Sequence, residues 1–325
     1  MNQLSFVLIA HNQARTILAC IDSAFRAARA ANLSSFEVIY VDSGSGDGSV
    51  DLVAERFGAT VRIARLTGEM NAGIARNVGA RVASGKTLFF VDGDMEIDPG
   101  FLQTALDSRG EPVHPAITGQ LPEKLYDPTG RAIGDAPDRY RIRTTHHRAE
   151  LGGVFLIERA LFSRLGGFAP ELRCNEDLDL GLRLARAGTL ILAIDRPIAV
   201  HHTVDYLHWS RLVPMVRNGS LLYPGAFFRR HFTNRHYLRL FASHQRPTLV
   251  LVASLALAVA VHPAWALAYV GYVAAKNLRR PNTSFAQELV GTTMRSACFL
   301  AGLVGFFPRH VPAESITFSL GPDST

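Results

Sequence analysis

The sequence predicts a doubly wound α/β fold with a mainly parallel sheet, followed by an apolar helical region. Short apolar runs alternate with helical periodicities from Phe6 to Val91, the pattern of consecutive βα units. Each polar cluster in that stretch falls just after an apolar run, at the carboxyl edge where doubly wound sheets bind their ligands. Further on, Thr248 to Ala275 is 28 residues without Asp, Glu, Lys or Arg.

The elements follow in order. Phe6 to Ala10 reads as a buried parallel strand running into the loop His11-Asn12-Gln13, and as a strand rather than a signal peptide, because no basic stretch precedes it. Ile17, Leu18, Ile21 and Phe25 mark a helix over 16–31, Phe36 to Val41 a second strand, and Ser49 to Phe57 a second helix. A strand over 60–64, a helix over 71–83 and a strand over 87–91 come next. Residues 108–150 hold several Pro and Gly and predict loops with a few strands. Strands are then expected at 152–157, 190–193 and 198–201, with helices at 159–165 and 176–187. The domain organisation this implies is a catalytic domain over 1–202, a basic connector over 203–247 and an apolar helical region over 248–325.

Charge and cysteine use narrow the function. The chain carries 34 Lys and Arg against 28 Asp and Glu, a net +6. Arg217, Arg229, Arg230, Arg235 and Arg239 lie between Arg211 and Arg246 with no acid among them. Beside apolar segments such a stretch suits a membrane surface and anionic headgroups, not a nucleic acid. Three separated cysteines (Cys20, Cys174, Cys298) make neither a disulfide framework nor a zinc spacing and fit a reducing cytoplasm. Straight, the 248–275 run would exceed a bilayer's roughly 30 Å hydrocarbon core at about 1.5 Å per residue. Pro263 bends it. Basic residues stand at both ends: Arg239 and Arg246 before it, Lys276, Arg279 and Arg280 after it. A re-entrant hairpin is therefore expected, with two true spans (248–275 and 289–307) as the alternative, at the inner face of the cytoplasmic membrane.

Five clusters carry chemistry. Asp92-Gly93-Asp94 follows an apolar strand, and two carboxylates there can share a hard cation, Mn2+ or Mg2+, that also takes diphosphate oxygens; a solvated acidic turn is the plainer alternative. Asp42, followed by Ser43-Gly44-Ser45-Gly46, can accept a bond from a base N–H or a ribose hydroxyl, or cap the helix at Ser49. Its glycines make no dinucleotide fingerprint, and no P-loop lysine is present. Asn71-Ala72-Gly73-Ile74-Ala75-Arg76-Asn77 opens a helix whose N–H groups, with Arg76, suit a diphosphate or donor sugar. Asn175-Glu176-Asp177 opens another, where acids answer the helix dipole or Asp177 serves as a general base toward an acceptor hydroxyl. His201 and His202 end a strand and offer a third metal ligand.

Taken in order from Ser5 to His202, these pieces resemble the family 2 inverting glycosyltransferases of GT-A fold. The likeness lies in the first strand with Ala10 and Asn12, Val41-Asp42-Ser43-Gly44-Ser45-Gly46-Asp47-Gly48-Ser49, the segment Asn71 to Gly85, Asp92-Gly93-Asp94, and Gly152-Gly153 with Gly166-Gly167-Phe168 leading into Glu176-Asp177. It implies that Asp92 and Asp94 bind the metal and nucleotide diphosphate, that Asp42 holds the base, and that Asp177 is the catalytic base. Ala10, Asn12, Ser43, Gly44, Gly73, Arg76, Asn77 and Gly93 then belong to the donor side, and Gly152, Gly153 and Glu176 to the acceptor side. The family's Thr/Pro-Tyr-Asn-Glu reads Ala10-His11-Asn12-Gln13 here. No Gln-x-x-Arg-Trp follows, which argues for a single addition and against polymerisation. The reading is transfer of one sugar from a nucleotide-diphosphate sugar to a lipid-linked or growing glycan acceptor in cell-envelope or exopolysaccharide assembly. A nucleotidyltransferase making a nucleotide-sugar and a catalytically silent nucleotide-sugar-binding scaffold are the alternatives.

Overall fold

Every residue of Leu4–Ala10 is buried, as an apolar run covered on both faces must be, and this strand seats the rest of the sheet. In the computed structural model, which describes residues 3–127, 129–204, 209–278 and 284–321, the chain forms two units: Met1–Thr203 with His310–Thr325, and Val204–Arg309. The first runs β1 (Leu4–Ala10), α1 (Ile17–Ala30), β2 (Phe36–Asp42), α2 (Ser49–Phe57), β3 (Val61–Leu66), α3 (Ala72–Val82), β4 (Thr87–Asp92), β5 (Met95–Ile97) and α4 (Phe101–Ala105). It continues through β6 (Ala116–Gln120), β7 (Glu123–Tyr126), β8 (Ala132–Ala136), β9 (His146–Arg148), β10 (Phe155–Glu158), α5 (Arg159–Arg164), α6 (Glu176–Arg186), β11 (Ile191–Pro197) and β12 (Ala199–Val204).

The main sheet has the order β13-β3-β2-β1-β4-β10-β6-β11-β9, where β13 is Phe318–Leu320 from the far end of the chain. Strands β3, β2, β1 and β4 are parallel neighbours. Beyond them β10 runs antiparallel to both β4 and β6. Alternate residues of β1 enter opposite cores. Phe6 and Leu8 meet Ile17, Cys20 and Ile21 of α1, while Val7 and Ile9 meet Ile74 and Val78 of α3 and Leu180 of α6. A second sheet, β5-β12-β7-β8, forms beside it.

The units from β1 to β4 appear within two residues of their expected bounds, whereas β10 starts three residues later than expected, β11 ends four later and β12 ends three later. The 108–150 stretch is more ordered than its Pro and Gly content suggests, since it supplies β6 to β9. The last residues do not stay with the apolar helices: β13 pairs antiparallel with β3, which gives that edge strand a partner.

The second unit is helical: α7 (Trp209–Arg217), α8 (Tyr223–His231), α9 (Arg235–His244), α10 (Arg246–Ala260), α11 (Ala266–Asn277) and α12 (Phe285–Gly305). The expected connector therefore folds with the apolar region instead of linking to it. Gly225 of α8 packs so closely on α12 that a Cβ would overlap the backbone of Phe299 and Leu303. Arg229 caps the end of α12, donating to the carbonyls of Gly302 (2.5 Å), Leu303 and Phe306, with its guanidinium 4.4 Å from the Phe307 ring centre.

Two true spans do not form: among the described residues no helix is long and apolar enough to cross a membrane. The 248–275 run stops at Ala260, because Pro263 lacks the N–H to continue the helix and opens a single 3-10 turn, Pro263–Trp265, that the His262 side chain caps. The later stretch carries Glu288 and Arg295 within α12. Arg279 and Arg280, expected to flank the first run, lie outside the described residues.

Candidate active site

Parallel register brings three strand ends together. Ala10 pairs with Asp42, and Ile9 with Asp92, so the loops after β1, β2 and β4 share one edge. The first two loops are laced to each other. Ser43 N–H donates to Ala10 O (2.9 Å), Asn12 N–H to Ser45 Oγ (2.9 Å), and Gly46 N–H to Asn12 Oδ1 (2.9 Å). Asn12 reaches these partners with a left-handed φ of 55°, which Asn tolerates better than most residues. Ala10, Asn12, Ser43 and Gly44 thus meet as the sequence implied.

Asp42 takes a different part from either one expected. Its carboxylate is fully buried, accepting from Tyr40 OH (2.9 Å) and from the Gly44 and Ser45 N–H groups (3.0 Å each), with Arg65 Nε 3.7 Å away. It shapes the loop from inside. The helix at Ser49 has Gly48 at its N-cap, and Asp47 Oδ1, one residue before, accepts from Ser49 N–H at 3.1 Å.

Arg76 is the hub. Asn71 caps α3, accepting from Ile74 N–H at 2.8 Å, and the helix carries Arg76 inward until only 2% of it is exposed. Its Nη2 donates to Asp92 Oδ1 (2.5 Å) and its Nη1 to Glu176 Oε1 (2.9 Å), while the guanidinium lies 5.3 Å from the Phe168 ring centre. Burial opposes its charge, but Asp92, Glu176 and Asp177 outweigh that and hold it protonated. Both forks of the guanidinium therefore face carboxylates, and Arg76 bridges two acidic motifs. Asn77 is likewise occupied: its amide grips the Phe168 backbone in both directions at 2.9 Å. Gly73 sits where α3 meets Phe168 and Glu176; a Cβ there would come within 3.3–3.5 Å of both.

Gly152 and Gly153 approach the same place. A Cβ on Gly153 would stand 2.7 Å from Asp92 Oδ2 and 3.0 Å from Arg76 Nη2. One on Gly152 would overlap the Tyr140 hydroxyl. Gly93 lies just past β4, its N–H on Ile9 O (2.8 Å).

Asp177 opens α6 beside Glu176. Desolvation and the charge of Glu176 push its carboxyl up to about 7, against the pull of Arg76. Burial similarly raises Asp92 above its ordinary value, despite Arg76. Tyr140 completes this group. Burial, with Asp177 and Asp92, pushes its phenol upward and keeps it protonated. No sequence signal marked Tyr140; only the need for glycine at 152 hinted that something large lies opposite.

The two histidines separate. Neighbours on a strand point to opposite faces, so along β12 His201 and His202 serve different clusters. His201 is buried, with Nε2 3.4 Å from Asp94 Oδ2 and Nδ1 3.1 Å from Glu123 Oε1. Burial works against its charge, yet those two carboxylates lift it to about 9. His202 faces Glu96 (3.1 Å) and the Tyr126 hydroxyl (2.9 Å). Of the two histidines, His201 is the one that lies beside the acidic pair, through Asp94. Asp94 and Glu123 thus take the two ring nitrogens of His201 as ion-pair partners. Among the described residues no three His, Cys, Asp or Glu side chains are grouped closely enough to hold an ion by themselves. The oxygen donors such a cation would take here are the carboxylates of Asp92 and Asp94, with ligand oxygens or water completing its shell.

A mixed, mainly parallel α/β sheet with an acidic pair at a strand end and a helix-borne acid beside it is the arrangement this chain brings to the comparisons. Residues 5–165 match the family described as Glycosyl transferase family 2. The chain is 25% identical over 190 residues to the O-antigen biosynthesis protein RfbC of Myxococcus xanthus, covering 51% of this chain and 15% of that protein. It is 27% identical over 221 residues to validoxylamine A glucosyltransferase of Streptomyces hygroscopicus subsp. jinggangensis, covering 57% and 52%. The chain spans only about a third of two further curated relatives. Among solved structures, a mannosyltransferase from Pyrobaculum calidifontis in complex with GDP-Man and Mn2+ shares the fold, with a TM-score of 0.58 at 23% identity over 93% of this chain and 86% of that one.

Proposed function

We propose that this chain transfers one sugar, with inversion, from a nucleoside-diphosphate sugar to a lipid-linked or growing glycan acceptor at the cytoplasmic face of a membrane. One observation carries the reading: Arg76 joins Asp92 to Glu176, so the acidic pair and the Glu-Asp helix form a single wall although 84 residues separate Asp92 from Glu176. A displacement reaction needs its base and its leaving-group site held in one frame. The family 2 domain and the fold shared with a Mn2+- and GDP-Man-bound mannosyltransferase support the same chemistry.

In this mechanism the acceptor hydroxyl gives its proton to the Asp177 carboxylate as its oxygen attacks the anomeric carbon. The bond from that carbon to the diphosphate breaks on the opposite side, so configuration inverts. A carboxyl poised near 7 can accept that proton at neutral pH and release it afterwards. Asp92 and Asp94, joined by His201 only once it gives up its proton, would hold Mn2+ or Mg2+, whose charge would stabilise the departing diphosphate. Arg76 keeps Asp92 and Glu176 in place, Tyr140 closes the wall near Asp177, and the Asn12 and Ser43–Ser45 loops carry the nucleotide. The apolar, basic character of Val204–Arg309 supports a membrane-borne acceptor.

The test is metal-dependent release of nucleoside diphosphate from a panel of UDP-, GDP- and dTDP-sugars. Chelation by EDTA is expected to abolish release and added Mn2+ to restore it. Full transfer by Asp177→Asn would remove Asp177 from the role of base, and indifference to EDTA would remove the cation.

A further inference from the structure

Proteins in water bury apolar side chains and expose polar ones. The unit Val204–Arg309 reverses this over two of its helices. The residues α10 buries are Thr248 and Ser254, and Thr248 Oγ1 bonds Ser296 Oγ of α12 at 3.2 Å. Helix α11 buries Val273 and Tyr269, the latter accepting a bond from Thr293 at 3.2 Å, so the reversal is full on α10 and partial on α11. Outside, Leu249, Val252, Leu255, Leu257, Val259 and Val261 are exposed along α10 and its end. Trp265 and Leu267 continue that surface across the turn, and Val259 is 91% and Leu267 68% exposed. Small polar groups between helices and apolar side chains outside are how helices pack in lipid, and an apolar surface this continuous implies a partner.

Length and charge identify the partner. Limbs of 15 and 12 residues are only about 22 and 18 Å long, short of a hydrocarbon core of roughly 30 Å. The apolar tip at Val259–Leu267 stands opposite a base where Arg246 begins α10 and Lys276 lies in the last turn of α11. Arg217, Arg230, Arg235, Arg239 and Arg309 are exposed on the same unit. Among its described residues the one acid is Glu288, which is fully buried and pairs with Lys276 at 2.8 Å. A surface with exposed guanidinium groups and no exposed carboxylate among those residues complements anionic headgroups.

We propose that the α10–α11 hairpin is a one-sided wedge: its tip enters a single leaflet of an anionic bilayer without crossing, and the arginines of the same unit take the phosphate headgroups. This deepens the membrane part of the proposed function and rests on it.

The experiment is flotation of the full chain with vesicles of phosphatidylglycerol and phosphatidylcholine, or of phosphatidylcholine alone, across a salt series. The wild type is expected to float with the anionic vesicles, at least tenfold less with the neutral ones, and progressively less as salt rises. The pair Val259→Asp with Leu267→Asp, both on exposed positions, is expected to float at least tenfold less while keeping its melting temperature and its release of nucleoside diphosphate. Trp265 fluorescence should be quenched by bromine on the acyl chains and left untouched by iodide sealed inside the vesicles. Wild type that floats with no vesicle overturns the membrane reading itself. Wild type and the double variant floating equally overturns the wedge alone, as does quenching from inside. A wild-type dimer that the double variant breaks, with flotation unchanged, would give this face to a second copy of the chain and overturn the wedge.

Discussion

The two units put their unusual residues on opposite sides of the surface. In Met1–Thr203 the anomalies are charges that are buried: Arg76, Asp42, Glu176 and Asp179. In Val204–Arg309 they are apolar side chains that are exposed, from Leu249 to Leu267. Either arrangement has a cost, of desolvation in the first case and of apolar hydration in the second. Each departs from the ordinary rule of apolar inside and charged outside. A buried charge network holds groups rigidly for chemistry on a small ligand; an exposed apolar face waits for something large to cover it. Substitutions in the two units should accordingly fail in different ways.

The largest effect is expected at the proposed base. Asp177→Asn removes the proton acceptor without changing the side-chain shape, so kcat should fall by about 10² to 10⁴-fold, while the donor KM and the melting temperature stay near wild type. A loss shared equally between kcat and KM would mean that Asp177 binds and does not take the proton.

The second unit has its own buried charge, and it should behave structurally. Glu288→Ala leaves Lys276 without its partner at 2.8 Å in the helical core. Breaking a fully buried pair costs about 3–5 kcal/mol; because Lys276 is partly exposed, about 2–3 kcal/mol is expected, read by chemical denaturation. Donor turnover per folded molecule should not change. If Glu288→Ala lowered turnover with stability intact, the division of labour between the units would be wrong.

A smaller effect is expected at Gly153, on the wall itself. The Cβ of Gly153→Ala would stand 2.7 Å from Asp92 Oδ2 and 3.0 Å from Arg76 Nη2. Overpacking of this kind costs about 1–3 kcal/mol. Here it would be relieved by shifting Asp92 or Arg76, with a loss of roughly tenfold or more in kcat/KM at little cost in melting temperature. Wild-type kinetics in Gly153→Ala would show that the Asp92–Arg76 contact can loosen freely.

What the sequence disclosed divides along the same physical lines. Period and alternation depend on neighbours a few residues apart, so β1 to β4 and α1 to α3 could be read directly. So could the presence of Asp92, Asp94 and Asp177 at element ends. Partner choice was not legible, because it depends on side chains brought together by the sheet. That Arg76 bridges Asp92 and Glu176, and that Asp42 accepts from its own loop, could not be read from the sequence. Tyr140 and Glu123 lie in a stretch with no periodicity and became visible only through what they touch. The helix break after Ala260 could be read from Pro263, but the polar lining at Thr248, Ser254 and Ser296 could not, since Ser and Thr in an apolar run look the same facing in or out.

The finest prediction asks whether charge or burial sets the base. An unperturbed aspartate would be ionised well below neutral pH, but Asp177 is pushed up to about 7, first by desolvation and then by Glu176. The base works only when deprotonated, so kcat should rise with pH through about 7 and level off above it. Glu176→Gln removes the like charge yet leaves an oxygen for Arg76 Nη1, now 2.9 Å from Oε1. It also frees the pull of Arg76, which lowers Asp177. Both changes act in one direction, so the acid limb of the kcat profile should move to lower pH while the plateau rate above pH 8 stays close to wild type. A limb that does not move would mean that desolvation alone raises Asp177. The glutamate of the Glu-Asp pair would then serve to anchor Arg76 and, through it, Asp92.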